Sequence, residues 1–98
     1  MIDKLEQIKH RFEEVSQLIV QPDAMSDMKN FTKLNKEYRD LEKIVKVYDE
    51  YAQVNNNLLE AKEVLSTEKD PEFRDMAKME IDELEPRLNS LTEELKVM

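Results

Sequence analysis

The stretch Asp70–Met98, DPEFRDMAKMEIDELEPRLNSLTEELKVM, decides the fold. Ala77, Ile81, Leu84, Leu88, Leu91, Leu95 and Met98 recur at alternating spacings of four and three. That rhythm is a heptad seam, one narrow apolar stripe along a helix. Asp70 is suited to cap its start, because its carboxylate can accept from the first unpaired backbone N–H groups. Pro71 follows at the first helical position, where a missing N–H costs nothing. Glu72 and Asp75 set negative charge against the positive end of the helix dipole. Such a stripe cannot stay in water, so the rest of the chain must cover it.

Working outward, the preceding segment carries the same rhythm. Phe31, Leu34, Tyr38, Leu41, Val45 and Tyr48 alternate in threes and fours, and the seam continues through Tyr51 or Ala52, Leu58, Ala61 and Leu65. A helix over about 27–65 is predicted, with Ser26 as its cap and Asp23 as the competitor. Asn55-Asn56-Asn57 is its weak point, since asparagine is a poor helix former. Ile2, Leu5, Ile8, Phe12, Val15 and Ile19, widened by Leu18, form a third helical face. This predicts a helix over about 2–20, ended by Pro22. The short connection 21–25 folds the chain back antiparallel. The expected fold is all-α: three antiparallel helices, the second and third (about 71–97) forming a long coiled-coil-like hairpin, with the shorter first helix packed along it. Pro86 lies inside the third helix, on the outward face, and is expected to bend it. The methionines 25, 28, 76 and 79 are expected to fill gaps near helix starts.

Composition narrows the chemistry. Charged residues make up 39% of the 98 and aromatics 6%, which suits long amphipathic helices rather than a thick core. The sequence has no glycine, which removes the Gly-rich phosphate-cradling motifs, and no cysteine, which removes thiol nucleophiles and thiolate metal sites. A single histidine, His10, leaves no basis for a His relay or a zinc set and reads as a surface residue. No catalytic residue, cofactor or metal site is expected. The many carboxylates read as a solvated face, because acid–base work needs a concave, partly desolvated site. No apolar run approaches the length of a membrane span, no secretory leader is visible, and a cytoplasmic protein is expected. The net charge is −8, concentrated in 70–98 with nine acids against four bases. That balance disfavours nucleic-acid contact by the third helix. The one basic feature lies on the second helix, where Lys29, Lys33, Lys36, Arg39, Lys43 and Lys46 gather opposite the seam. It is a candidate partner surface for phosphates or an acidic protein. The alternative is a solvated face knitted by pairs such as Lys33–Glu37, Lys36–Asp40 and Glu42–Lys46.

Three stretches carry a family likeness: Phe12-Glu13-Glu14-Val15; Phe31-x-x-Leu34-x-Lys36-Glu37-Tyr38-x-x-Leu41 after Ser26-Asp27; and DPEFRDMAKME at 70–80. In this order and spacing the chain resembles the N-terminal helical domain of bacterial class I peptide chain release factors, nearest the type that reads UAA and UAG. The resemblance implies a role in translation termination. It also implies contacts with the large-subunit stalk-base region of the ribosome and with the class II release-factor GTPase. The family's Gly-Gly-Gln loop and Pro-x-Thr codon-reading tripeptide have no counterpart here, since glycine is absent and Pro22, Pro71 and Pro86 lead two positions on to Ala24, Phe73 and Leu88. The chain is therefore expected to be a single non-catalytic helical domain, 1–98, of a longer protein. Seam residues left uncovered near Leu95–Met98 are candidates for self-association. A stand-alone coiled-coil scaffold or prefoldin-like chaperone is the rival reading, and it predicts a stable oligomer.

Overall fold

The computed structural model describes residues 2–98, with the side chain of Ile2 excepted. The expected contribution of Ile2 to the first helical face lies outside the described residues. Helix α1 runs Ile2–Leu18, α2 Met28–Thr67 and α3 Pro71–Lys96, and a short 3-10 turn covers Ala24–Ser26. Helices α2 and α3 pack closely as a hairpin, and α1 packs against α2. The chain divides into two compact units, 1–46 and 47–98.

In the first unit, α1 lies against the opening part of α2. Leu5, Val15, Leu34 and Val45 are its buried residues, and Val15 is fully enclosed. The ring of Phe12 stacks on Tyr38 with centroids 5.0 Å apart and an interplanar angle of 26°. Helix α1 stops at Leu18, two residues earlier than expected. Its end tightens: the N–H of Gln21 donates to the Leu18 carbonyl at 3.3 Å, and the Gln21 side-chain amide donates to the Gln17 carbonyl at 3.3 Å. Leu18 then points outward, 40% exposed, so it does not widen the core face.

The cap of α2 is Asp27, not Ser26 or Asp23. The Asp27 carboxylate accepts from the Asn30 N–H at 3.1 Å, whereas the Ser26 hydroxyl donates to the Asp23 carbonyl at 2.6 Å. Ser26 is thus occupied in closing the 3-10 turn, and α2 starts one residue later than the pattern suggested.

In the second unit, Val54, Leu58, Ala61, Ala77, Leu91 and Leu95 are buried, with Leu91 fully enclosed. Val54 belongs to this core although the heptad reading passed over it. Ile81, Leu84 and Leu88 are half-buried along the same stripe. Helix α2 is unbroken through Asn55–Asn57, and Asn55 and Asn57 are half-buried, so packing outweighs their weak propensity. Helix α3 also runs without interruption through Pro86, which is exposed. The predicted cap holds: the Asp70 carboxylate accepts from the Glu72 N–H at 3.0 Å, with Pro71 opening the helix.

The turn between α2 and α3 is closed by Arg74. Its guanidinium donates to the Leu65 carbonyl and, at 3.1 Å, to the Glu68 carbonyl. Those groups lie at the end of α2, where helical carbonyls lack partners. The Glu68 carboxylate accepts from the N–H groups of Lys69 and Asp70, both at 3.1 Å. Two ion pairs also bridge α2 and α3, Glu50–Arg87 and Lys62–Glu85, the latter at 3.6 Å.

The methionines are not gap-fillers. Met25, Met28, Met76 and Met79 are 55–66% exposed; Met25 lies in the 3-10 turn, and the other three fall off the seam positions of their helices. Met98 lies beyond α3 and is exposed.

Candidate partner surface on the second helix

The six bases all lie on α2 within the first unit, and all are exposed. From Lys29 to Lys46 the face runs about 26 Å at ~1.5 Å per residue. The seam occupies the other side of the same helix, because 3.6-residue periodicity sends Leu34 and Val45 inward when Lys33, Lys36 and Lys43 point out. A shallow, open depression on this face is lined by Lys36, Arg39, Asp40, Glu42 and Lys43.

Of the carboxylates expected to neutralise the lysines, Glu37 is engaged elsewhere. It is taken by Arg11 of α1 in a two-pronged pair, with Nε–Oε2 at 2.7 Å and Nη2–Oε1 at 2.8 Å. That pair replaces the expected Lys33–Glu37 pair. A fork-to-fork geometry of this kind is the strong form of an ion pair. Its hydrogen bonds from Arg11 hold the Glu37 carboxyl below its ordinary range. The same bonds to Glu37, supplemented by Glu14, hold the Arg11 guanidinium more firmly protonated. The Glu42 carboxylate accepts a hydrogen bond from Tyr38, which together with its charge raises the phenol's pKa. Glu42 also meets Lys46 at 3.8 Å, so this expected pair is present. Among the described residues, Lys46 is the one member of the six with a carboxylate within 4 Å, and Lys36–Asp40 forms no such pair.

The sequence pattern located the lysines but missed Arg11. Its signal lay in the spacing of α1, since Arg11 adjoins the seam residue Phe12 and so borders the α1–α2 contact.

No group of three or more His, Asp or Glu side chains among the described residues is arranged to hold a metal ion. His10 is exposed, as expected, beside Glu13, Glu14 and Gln17. No helix of the described residues is long and apolar enough to cross a membrane.

Residues 8–98 match the PCRF domain family. Over 84 residues, 86% of this chain, it is 55% identical to peptide chain release factor 1 of Cytophaga hutchinsonii. Over all 98 residues it is 53% identical to the protein of that name from Amoebophilus asiaticus and 50% identical to that from Parabacteroides distasonis. The chain covers 23%, 28% and 27% of those three relatives respectively, about a quarter of their length. No solved structure matches it. The chain therefore belongs to the PCRF-domain family, and its likeness is to the release factor 1 type.

Proposed function

We propose that this chain is the N-terminal, non-catalytic domain of a cytoplasmic translation-termination factor. It positions the factor on the ribosome and presents a basic surface to its partners there. The observation that carries the reading is the exposed row Lys29, Lys33, Lys36, Arg39, Lys43 and Lys46, in which one carboxylate pairing is present, on a chain whose relatives are named release factors. Lysines left without protein counter-charges can exchange condensed cations for phosphate contacts, which yields salt-sensitive binding. The large-subunit stalk-base region and the class II release-factor GTPase are the partners this reading implies. The row suits an RNA phosphate lattice or an acidic protein surface equally, because it has no interleaved aromatic residues to stack on bases.

Charge reversal tests it. In ribosome co-sedimentation of the 98-residue chain at low salt, the double variant Lys36→Glu, Lys43→Glu is expected to bind about tenfold or more weakly, with a shallower salt dependence. Undiminished binding of the variant would exclude the basic face as the contact.

A further inference from the structure

The stretch DPEFRDMAKME contains large apolar residues that the hairpin does not bury. Phe73 is 54% and Met76 63% exposed on the opening turns of α3, and Val64 of α2 is 41% exposed. These three border one groove in the second unit. Its floor is Ala61 and Ala77, each 4% exposed. Two alanines at buried seam positions leave a depression that leucines would fill.

The rim is uniformly acidic. Glu60 and Glu68 line the α2 side and Glu80 the α3 side, and no lysine or arginine lines the groove. Among the described residues, neither Glu60 nor Glu80 has a cationic group within 4 Å. Glu68 is committed in part to the turn through the Lys69 and Asp70 N–H groups.

We infer that this groove is a docking site for a cationic amphipathic segment of a partner protein, its apolar side chains set between Phe73, Met76 and Val64 and its lysines or arginines against Glu60 and Glu80. Charge complementarity selects the occupant. An anionic nucleic acid is repelled by the rim, and a neutral apolar segment leaves the glutamates without counter-charge beside a desolvated surface. The geometry is that of an amphipathic helix laid in a groove, with anchors at positions i, i+3 and i+4. The inference stands apart from the basic face of α2, because it rests on the opposite charge and on different residues.

The test uses a synthetic helical peptide of roughly four turns, with leucines at i, i+3, i+4 and i+7 and lysines elsewhere. Two controls accompany it: the same composition in scrambled order, and a version with glutamate in place of lysine. Binding to the 98-residue chain is followed by anisotropy and amide-shift mapping. Saturable binding of the lysine peptide is expected, with shifts centred on Glu60–Glu80, and about tenfold weaker binding of both controls. Phe73→Ser with Met76→Ser should weaken binding about tenfold or more, since both remove apolar surface that the bound peptide covers. Both residues are exposed, and circular dichroism checks that the helices persist. The separate variant Glu60→Lys, Glu80→Lys keeps the apolar lining and should weaken binding several-fold, with loss of salt dependence. Equal binding by either variant, equal binding of a control peptide, or shifts mapping elsewhere would overturn the inference. A dimer in sedimentation that is abolished by Phe73→Ser would assign the groove to a second copy instead.

Discussion

Residues 1–46 carry nine acidic and nine basic side chains, whereas residues 47–98 carry fourteen and six, so the whole of the −8 charge falls in the second unit. The two units also close their helix contacts differently. The first uses an aromatic stack and a forked ion pair, Phe12–Tyr38 and Arg11–Glu37, beside four small-to-medium buried aliphatics. The second uses an aliphatic seam ending in Leu91 and Leu95, with Arg74 fastening the turn. The contrast shows how one heptad rhythm supports two kinds of surface. Where Arg11 removes Glu37 from the lysine row, the exposed face turns basic. Where alanines stand in the seam and acids flank it, the surface becomes an apolar groove with an anionic rim.

The largest expected effect sharpens the core side of this comparison. Leu91→Ala removes a fully enclosed side chain and should cost about 2–5 kcal/mol in denaturant unfolding. Val15→Ala, its counterpart in the first unit, removes two carbons at about 0.8 kcal/mol each, plus a cavity contribution, so its cost should be smaller. Amide exchange reads the difference locally: Leu91→Ala should accelerate exchange first in 47–98. Uniform acceleration in both units by either variant would break the distinction.

The caps come next. Asp27→Ala and Asp70→Ala should each cost roughly 1 kcal/mol, because each leaves a backbone N–H of the first turn unpaired. Conversion to asparagine should restore most of the loss in both. If Asp27→Ala is silent while Asp70→Ala is not, the 3-10 turn at Ala24–Ser26 is holding the start of α2 without the cap.

The smallest effect is electrostatic and belongs to the first unit. Glu37 has a folded pKa below its ordinary value near 4.5. Between those two values the unfolded chain binds more protons, so stability is present above pH 4.5 and is lost as pH falls through the folded value. Glu37→Gln should flatten the stability–pH curve in that acid window and leave it unaltered near neutrality apart from a constant offset. A curve with the wild-type slope would show that the Arg11 pair carries no pH dependence. Because both partners are partly solvated, the change should be small and should shrink further with salt.

Much of this is legible in the sequence. Alternating spacings of three and four specify which side of each helix is apolar, Asp70-Pro71 marks a helix start by local chemistry, and the absence of glycine and cysteine removes whole classes of site. The basic row was legible for the same reason, since six bases at helical spacing must share a face whatever they pack beside. Other features depend on tertiary context. Ser26 and Asp27 are both good caps, and only the 3-10 turn that uses the Ser26 hydroxyl selects Asp27. Leu18 and the methionines 25, 28, 76 and 79 are apolar, yet they stay exposed. Arg11 and Arg74 have partners 26 and 9 residues away, and composition says nothing about which of many acids or carbonyls an arginine will reach. Periodicity along one chain specifies the helices and their buried stripes, and the order of charged residues along it fixes how charge is distributed. The tertiary structure alone decided which lysines remain without a carboxylate and which apolar residues line an acidic groove, because both depend on side chains brought together from separate helices.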